Sequence, residues 1–385
     1  MKIFIDYNDK FIYNLKLVKT DKLNTLDTEY ALKLKTLKEK IDNNEDEWDK
    51  CKKIVNPYEL IHSSNLKEKI QRSISKYNPL SRSFFKLTEI IYKYKLFNNI
   101  KTPITMAGIA EGPGGFLEAF YLYRKHHGFE NDIIKGITLN PYNKYIPNWN
   151  KINERFENIE TCYGDIYLKK TIDNFSDKFN KKVDIATADG GFDYSVDFNN
   201  QEMNSSKIIF AEVVMAFNIL KENGIFIIKI FDLFNKITVK ILFLIYKQFK
   251  EFHIYKPNTS RPANSEKYII ATGFKSIEKE NLDNMKNCLY NWGDNKIHYD
   301  FERFDIPKSF YKQISDYNKI FVNNQIKYIN ETLYFINNKI NKDEYNNIIS
   351  NQVTNAINWV RTHNIEINKK SKFYNSFSIK KYKLN

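Results

Sequence analysis

The stretch AGIAEGPGGF at residues 107–116 is the part of this sequence whose residue types most clearly suggest a ligand. It places four of the chain's 12 glycines within eight positions. Glycine tolerates positive φ angles and lets a ligand approach the main chain closely. An apolar run, ITMAGIA, leads into the stretch and a helical pattern follows it, so the glycines occupy a turn between a strand and a helix. A phosphate, a dinucleotide or another ligand could lie against such a turn.

Two nucleotide-binding motifs fit this turn poorly. A P-loop requires GxxxxGK[ST], and no Lys-Ser or Lys-Thr follows here. A dinucleotide fingerprint requires GxGxxG; Gly112 and Gly114 match it, but position 117 is Leu, and Asn140 rather than an acid follows the second strand. A tight turn with a purely structural role also stays open.

Charged residues accompany three of the later apolar strands. Asp189 ends VDIATAD, Lys229 stands within GIFIIKIF, and Glu266 opens the strand KYIIATGF. The carboxyl ends of parallel strands meet at one edge of a sheet, and the glycine turn lies at that same edge. Lys229 is either a core lysine that extends its amine towards the surface or a functional group. Its position at the ligand-binding edge favours a functional group.

Strands and helices that position these residues alternate from residue 104 onward. Apolar strand patterns followed by longer helical patterns predict an α/β fold, with a mostly parallel sheet covered by helices on both faces. A long helix is expected over 205–223, ending at Gly224. The expected strands are 104–110, 132–139, 159–164, 183–189 and 224–231, followed by FHIYKP and KYIIATGF.

Changes of composition divide the chain into three expected segments. Residues 1–75 are charged and predict an N-terminal helical extension, with one helix over 26–41. Residues 76–275 predict the α/β domain. Residues 276–385 are rich in Asn and Lys and predict a basic helical extension.

The chain has a formal net charge of +14 and a pI near 9.2, which favours an anionic partner. Six basic residues and one acid lie between Lys67 and Lys86, and the segment after Glu366 combines lysines with aromatic residues and no acids. Interleaved basic and aromatic residues are typical of nucleic-acid-binding surfaces, although a solvated lysine face has the same composition. The phosphate contacts expected from the first cluster are Arg72, Lys76 and Arg82.

Signals for targeting and for disulfide bonds are few. The three cysteines, Cys51, Cys162 and Cys288, show no CxxC spacing, so neither a disulfide framework nor a zinc site is expected. The first residues, MKIFIDYNDKF, lack the apolar segment of a signal peptide, and no apolar run is long enough to span a bilayer. We expect a soluble protein of a reducing intracellular compartment; the cytoplasm, a virion or viral factory, and the nucleus stay open.

Four motifs together resemble the FtsJ-like 2′-O-ribose methyltransferases: EGPGGF, ADGGFD, IIKIFDLF and TSRPANSEKY. The resemblance covers roughly residues 55–275 and is closest to the messenger-RNA cap ribose methyltransferases of eukaryotes and their large DNA viruses. Members of the family contain a Lys–Asp–Lys–Glu tetrad. On this resemblance the catalytic residues are Lys86, Asp189, Lys229 and Glu266, with Lys76 as the nearest competitor for the first lysine.

The resemblance also implies S-adenosylmethionine as the cofactor and capped mRNA or another RNA as the substrate. The glycine turn would hold the methionine part of the cofactor and Asp165 would contact its adenine. Asn140 stands where methyltransferases commonly have an acid for the ribose. The implied cofactor-binding residues are Glu111, Gly112, Pro113, Gly114, Gly115, Phe116, Asn140, Asp165 and Asp189, and the implied RNA contacts are Arg72, Lys76, Arg82, Ser260 and Arg261.

Methyl transfer to a ribose hydroxyl is an in-line displacement at a sulfonium, whose leaving group is a neutral thioether, so no metal is required. The 2′-hydroxyl must lose its proton as it attacks. Lys229 can act as a base only if burial and a second cation, Lys86, lower its pKa from about 10.4. Asp189 and Glu266 oppose that shift, and a charged Lys229 would instead orient the hydroxyl. Both roles stay open.

Two other functions are compatible with the sequence. A ribosomal or transfer RNA 2′-O-methyltransferase would use the same scaffold, although the long flanks and TSRPANSE favour a capped substrate. A non-catalytic RNA-binding subunit would keep the fold, but a partly buried lysine is costly to retain without a use. The first or second transcribed nucleotide, the cap-binding residues, the oligomeric state and any capping or transcription partner stay open.

Overall fold

A computed structural model describes residues 15–374 apart from short gaps. The chain divides into two compact units. The first comprises the described parts of Met1–Leu32, Ile100–Lys256 and Glu266–Phe321, and the second those of Lys33–Asn99, Pro257–Ser265 and Val322–Asn385. The residues that the structure does not describe are 1–14, 22–24, 43, 64–71, 143–145, 181, 192–199, 295–296, 303, 339 and 375–385.

The described residues form strands and α-helices in the following order. The strands are β1 (Lys16–Lys19), β2 (Thr105–Ile109), β3 (Ile133–Thr138), β4 (Ile159–Tyr163), β5 (Val183–Ala188), β6 (Leu220–Ile230), β7 (Phe249–Tyr255), β8 (Lys267–Phe274) and β9 (Tyr299–Glu302). The helices are α1 (Thr28–Asp42), α2 (Glu45–Val55), α3 (Ser83–Tyr94), α4 (Gly115–His126), α5 (Asn150–Arg155), α6 (Lys169–Asp177), α7 (Gln201–Ile219), α8 (Lys236–Gln248), α9 (Lys279–Tyr290), α10 (Lys308–Asn337) and α11 (Lys342–Thr362).

A seven-stranded sheet organises the first unit, in the order β4-β3-β2-β5-β6-β8-β7. β8 runs antiparallel to β6 and to β7, and the other neighbouring strands are parallel. The order of strands along the chain reverses direction between β2 and β5. Because crossovers between parallel strands are right-handed, this reversal puts the connecting helices on both faces of the sheet. The mostly parallel α/β fold predicted from the sequence is confirmed.

The core of the first unit forms where α6, α7 and α8 pack on the sheet. Apolar side chains of β5, β6 and β8 are buried against them, among them Ala186, Phe226 and Ile269. α7 is buried along most of its length, which explains why its sequence is apolar on more than one face. Burial on both faces likewise explains the continuous apolar runs of the central strands.

The strands expected from residue 104 onward all occur, but one helix end was predicted wrongly. The helix expected over 205–223 spans Gln201–Ile219 instead, and β6 begins at Leu220 rather than at Gly224. Leu220 lies opposite Val183 in the sheet and is buried. Pairing with a neighbouring strand therefore ends the helix, and the glycine lies inside the strand.

The flanking segments predicted as helical also contain strands. β1 pairs antiparallel with β9, and Lys16 lies opposite Glu302. The two strands are short and far apart in sequence, so no local pattern announces their pairing. The helix expected over 26–41 is present as α1. Boundaries of the three predicted segments, at residues 75 and 275, stay predictions.

The second unit is mainly helical, with α2, α3 and α11 and a short 3₁₀ helix at Glu59–Ile61. Gln352 on α11 donates from its amide to the backbone oxygens of Lys53, Ile54 and Asn56, which satisfies the open carbonyl groups at the end of α2. Throughout the described ranges, no helix combines the length and the apolar character needed to cross a membrane.

Candidate active site

Four loops leave the carboxyl edge of the parallel strands, and each contains residues that the sequence singled out. Glu111–Phe116 follows β2, Asn140 follows β3, Asp165 follows β4 and Asp189 follows β5. These four strands are neighbours in the sheet and run in the same direction. The fold therefore brings the four loops to one edge.

Packing within the chain accounts for part of the glycine turn after β2. Gly114 has a φ of +105°, which favours glycine, and a Cβ atom there would collide with Ile152. A Cβ atom at Gly112 would lie 2.8 Å from the Thr138 Oγ1 atom. α4 begins directly after the turn at Gly115, so its first backbone N–H groups have no partner within the helix. The turn is therefore shaped by packing within the chain, and the backbone N–H groups at the start of α4 can bind an anionic group.

Two side chains of the turn are buried rather than presented at the surface. Glu111 is 3% exposed, and its Oε1 atom accepts a hydrogen bond from Thr187 Oγ1 at 2.7 Å. Phe116 is fully buried, with its ring 5.7 Å from that of Tyr268. Pro113 is partly exposed. A ligand at this edge would therefore meet the backbone of the turn rather than the Phe116 ring.

Lys229 lies on β6 and reaches the residue that follows β5. Its Nζ atom donates a hydrogen bond to the Asp189 backbone oxygen at 2.7 Å and lies 3.3 Å from the Asp189 Oδ1 atom. The two side chains are only 11% and 14% exposed. The Glu266 carboxylate also acts on the Lys229 charge. Three of the predicted tetrad members, Asp189, Lys229 and Glu266, thus lie together in the first unit.

A tyrosine that the sequence argument missed completes this cluster. Tyr268 on β8 lies opposite Lys229, and its hydroxyl donates to the Asp189 Oδ1 atom at 2.8 Å. Burial, together with the nearby Asp189 and Glu266 charges, raises the pKa of this hydroxyl well above its ordinary value, so it remains a donor. Its position two residues after Glu266 was the available signal, because such residues share one face of a strand.

Two buried acids lie behind the Lys229–Asp189 pair. Glu212 on α7 is fully buried, and its Oε1 atom accepts the backbone N–H of Gly190 at 2.9 Å. Burial raises the pKa of Glu212 to about 8 and that of Glu111 well above its ordinary value, while Lys229 opposes both shifts. Glu212 was also missed. The sequence feature that points to Glu212 is its position as a single acid within the apolar run FAEVVMAF. Acids are seldom buried without a partner, so a buried acid there indicates a specific interaction.

The charges around Lys229 decide its protonation. Burial by itself lowers its pKa, but Asp189, Glu266 and Glu212 outweigh burial and hold the pKa of Lys229 above its ordinary value. The ammonium form therefore persists at neutral pH in this arrangement. Of the two roles left open by the sequence, a charged group that orients the substrate fits these surroundings better than a base.

The loops after β3 and β4 combine polar and apolar groups. Asn140 is exposed, and the Asp165 Oδ1 atom accepts the backbone N–H of Tyr167 at 2.9 Å, which stabilises the turn. Beside Asn140, the side chains of Leu139 and Tyr142 are 40% and 79% exposed. Exposed apolar side chains next to hydrogen-bonding groups suit a flat heteroaromatic ligand.

Two of the expected RNA contacts converge on one buried acid in the second unit. Arg261 holds the Glu59 carboxylate with two hydrogen bonds, of 3.2 and 3.1 Å, and the Arg82 Nη1 atom lies 3.6 Å from the Glu59 Oε1 atom. Burial would raise the pKa of Glu59, but Arg82, Arg261 and Asn56 outweigh burial and lower it. Both guanidinium groups therefore have a structural role, and contact with RNA stays a prediction.

The other expected RNA contacts have different surroundings in this unit. Lys76 is exposed, and its Nζ atom lies 2.7 Å from the Glu366 Oε1 atom. The Arg72 guanidinium lies 5.1 Å from the centre of the Phe373 ring, and Ser260 is buried. Lys76 is thus accessible to a ligand, because an exposed ion pair exchanges its partner at little cost.

Lys86, the expected first member of the tetrad, lies on α3 of the second unit and is partly exposed. Its approach to Asp189 and Lys229 stays a prediction. Parts of the sequence features named above lie outside the described residues: Lys67 of the basic cluster, Phe192 and Asp193 of ADGGFD, and residues 375–385 of the basic C-terminal segment.

Comparison with known proteins gives consistent matches. A family model described as FtsJ-like methyltransferase matches residues 79–274. The Drosophila melanogaster protein named cap-specific mRNA (nucleoside-2′-O-)-methyltransferase 2 is 31% identical over 248 residues, which cover 59% of this chain and 35% of that protein. The Drosophila melanogaster protein of the same name numbered 1 is 31% identical over 257 residues, covering 60% and 29%. Its namesake from Xenopus laevis is 31% identical over 218 residues, covering 52% and 24%.

This chain spans about a quarter to a third of the length of these three relatives. The match to the family model covers half of the chain and includes the glycine turn, Asp189, Lys229 and Glu266. The chain belongs to the FtsJ-like methyltransferase family.

Proposed function

We propose that this chain is an S-adenosylmethionine-dependent RNA 2′-O-ribose methyltransferase that acts on a cap-proximal nucleotide of mRNA. The main support is the nearly buried Lys229–Asp189 pair at the carboxyl edge, with Tyr268 donating to the same carboxylate. The names of the three relatives support the capped substrate. Each of them is a cap-specific mRNA 2′-O-methyltransferase.

The residues at the carboxyl edge of the sheet offer groups that can bind each part of S-adenosylmethionine. The backbone donors at the start of α4 suit the carboxylate of the methionine part. The exposed Leu139 beside Asn140 suits the nucleoside, and Asp165 is the proposed acceptor for the adenine amino group. When bound, the cofactor supplies a methyl group on a positively charged sulfur. Asp189 lies at the same edge and provides a negative charge there.

Lys229 is the proposed orienting group for the substrate hydroxyl. Its ammonium group is held by the Asp189 backbone oxygen and carboxylate, so its remaining N–H bond has a restricted direction. A hydrogen bond from it to the 2′-oxygen would leave a lone pair of that oxygen pointed at the methyl group. Because a charged lysine accepts no proton, the hydroxyl proton leaves to water or to a carboxylate of the site as the carbon–oxygen bond forms.

A methyl-transfer assay on matched RNAs tests this proposal. Purified chain, labelled S-adenosylmethionine and a short RNA are combined, with the RNA either capped by 7-methylguanosine or uncapped, and nuclease digestion locates the methyl group. We expect transfer to a ribose 2′-oxygen of the capped RNA. Digestion also reports whether the first or the second nucleotide is modified.

Other outcomes of this assay distinguish the alternative functions. Equal transfer to capped and uncapped RNA would indicate a general RNA 2′-O-methyltransferase, as acts on ribosomal or transfer RNA. RNA binding without transfer to any substrate would indicate a non-catalytic subunit. Either result would contradict the proposed cap-specific activity. Lys229→Ala serves as the negative control for transfer by contaminating enzymes.

A further inference from the structure

One peptide group, between Asp189 and Gly190, is held on both sides by charged or ionisable side chains. Its carbonyl oxygen accepts a hydrogen bond from the Lys229 Nζ atom at 2.7 Å. Its N–H group donates to the Glu212 Oε1 atom at 2.9 Å. Lys229 and Glu212 therefore contact the two ends of the same amide, although neither is bonded directly to the other.

The close approach of Glu212 depends on glycine at position 190. A Cβ atom there would collide with the Glu212 Oε1 atom and lie 2.9 Å from the Ala110 Cβ atom. Glu212 is fully buried on α7, and its Oε2 atom has no hydrogen-bond partner among the described residues. A buried acid is costly to retain, more so with an oxygen left unpaired. The hydrogen bond to the Gly190 N–H is thus the direct contact by which Glu212 acts on the site.

We propose that Glu212 is a positioning residue for Lys229: by holding the N–H of the Asp189–Gly190 peptide, it fixes the carbonyl oxygen that in turn fixes the Lys229 ammonium group. The proposal rests on the proposed function, in which Lys229 orients the substrate hydroxyl. Hydrogen bonds at the two ends of one amide strengthen each other, because each increases the amide's polarisation. Loss of Glu212 would leave that peptide, which follows the last paired residue of β5, held on one side only.

The groups that face this arrangement come from five elements of the first unit. Asp189 follows β5, Glu111 follows β2, Glu212 lies on α7 and Lys229 lies on β6. Glu266 immediately precedes β8, and Tyr268 lies on that strand. Glu212 has a pKa raised to about 8 by burial, with Lys229 and the Gly190 N–H opposing the shift and Asp189 adding to it. Its ionisation near that pH changes the strength of the hydrogen bond to Gly190 without removing it.

An NMR measurement tests this contact without any need for activity. Asp–Gly occurs once in the chain, at 189–190. Carbonyl-¹³C aspartate combined with ¹⁵N glycine therefore selects the amide signal of Gly190. In the wild type we expect the resonance of this amide proton to move downfield as pH rises. The midpoint of the change should lie near the pKa of Glu212, about 8. Glu212→Gln should abolish the titration, and Glu222→Gln, which changes an exposed acid in the same way, should leave it intact.

Methyl transfer supplies the second measurement. Glu212→Gln keeps an oxygen that can accept from Gly190, so kcat should stay within about threefold of wild type, whereas Glu212→Leu should lower kcat by about 10- to 100-fold. The KM values for cofactor and RNA should change much less, because the side chain at position 212 is fully buried and so does not contact either ligand. A purely structural role would instead lower stability in both variants and leave kcat of the folded protein unchanged.

The two ways of failing are distinguishable. A Gly190 amide signal that does not respond to pH or to Glu212→Gln would overturn the inference, as would full kcat in folded Glu212→Leu. A wild-type chain whose Gly190 signal behaves as expected, but which transfers no methyl group to any RNA, would contradict the proposed function and leave the hydrogen bond between Glu212 and Gly190 established.

Discussion

Two opposing effects set the pKa of Lys229, because burial lowers it and the neighbouring acids raise it. Its side chain is mostly buried, which by itself favours the neutral amine. The Asp189, Glu266 and Glu212 carboxyl groups outweigh that effect and raise its pKa. A lysine in this state holds a substrate oxygen by donating a hydrogen bond, and its removal should affect the rate more than substrate binding.

Replacement of Lys229 should separate binding from transfer. We expect Lys229→Ala to fold, to bind S-adenosylmethionine and capped RNA with nearly unchanged affinity, and to lose methyl transfer by about 100-fold or more, since orientation of reactants is worth several kcal/mol. Lys229→Arg should not restore the rate, because a planar guanidinium cannot reproduce an ammonium group 2.7 Å from the Asp189 oxygen. Calorimetry measures binding and single-turnover kinetics measure transfer.

Lys178→Ala, which removes an exposed lysine from the same unit, is the matched control and should behave as wild type. Near-normal transfer by Lys229→Ala on capped RNA would show that the tetrad has been assigned wrongly.

α7 stabilises the start of α8 through one buried acid, a contact between two helices of the first unit. The Glu202 carboxylate accepts the backbone N–H groups of Phe234 and Asn235, at 3.1 and 2.8 Å. Asn235 precedes α8 and makes no cap with its own side chain. Glu202 therefore fixes the backbone of the two residues that lead into this helix.

The stability of wild type relative to Glu202→Gln should depend on pH. Burial raises the pKa of Glu202 to about 8, although the backbone N–H groups of Asn235 and Phe234 oppose the shift. The folded chain then binds a proton that the unfolded chain has released, so the free energy of unfolding falls as pH rises from about 5 to about 8. Glutamine does not titrate. The difference between the two unfolding free energies, measured in urea, should therefore fall over that range and then level off.

Glu222→Gln, an exposed acid of β6, should show no such change relative to wild type. A difference that stays constant between pH 5 and 8 would mean that Glu202 is already ionised in the folded chain.

α3 holds the loop that leads to Glu266. Glu89 on α3 is buried and accepts the backbone N–H groups of Asn258 and Thr259, at 2.8 and 3.1 Å, and the Trp359 indole N–H at 3.1 Å. Each of these donors is buried or partly buried. Glu89 is therefore the point at which α3, α11 and the loop of residues 257–265 are joined within the second unit.

Glu89→Ala should be strongly destabilising, because it leaves several buried donors without an acceptor, each worth about 1–3 kcal/mol. We expect a loss of unfolding free energy of about 3 kcal/mol or more in urea denaturation. Glu39→Ala removes an exposed glutamate from α1 and should change stability by less than about 0.5 kcal/mol. Equal stability of the two variants would show that the loop does not depend on Glu89.

At the scale of the whole molecule, the net charge of +14 points to a polyanionic partner. The structure distinguishes basic residues that are accessible to RNA from those that already pair with a buried acid. Lys76 forms an exposed ion pair, whereas Arg82 and Arg261 surround the buried Glu59. Removing Arg82 or Arg261 would leave a buried carboxylate short of a partner, so either change would confound a test of RNA binding.

Binding of RNA should therefore be probed at Lys76, together with Arg72 of the same basic segment. We expect Arg72→Gln with Lys76→Gln to weaken RNA binding and to reduce the slope of log K against log salt by about 0.7 for each RNA phosphate that is no longer neutralised. Affinity for S-adenosylmethionine should not change. Lys125→Gln removes an exposed lysine at the far end of α4, at the opposite edge of the sheet, and should leave the slope unaltered. An unaltered slope in the double variant would make this cluster a solvated surface.

Much of this protein follows from local sequence patterns. Apolar runs with turn signals between them predicted the strands β2 to β8, because burial on both faces of a parallel sheet demands such runs. The same reasoning brought Asp189, Lys229 and the glycine turn to one edge, because carboxyl ends of parallel strands meet there. These features depend on residues close together in the chain or on a general rule of α/β topology.

Other features were decided only by the tertiary structure. The end of α7 at Ile219 depends on pairing of Leu220 with Val183, and the β1–β9 pair joins segments nearly 300 residues apart in the chain. Tyr268 and Glu212 join the site through hydrogen bonds to Asp189 and to the Gly190 N–H, which connect different elements of the fold. The sequence showed that acids would oppose the effect of burial on Lys229, but not which would prevail. That balance depends on distances between charges in a poorly solvated site, and the folded chain alone sets those distances.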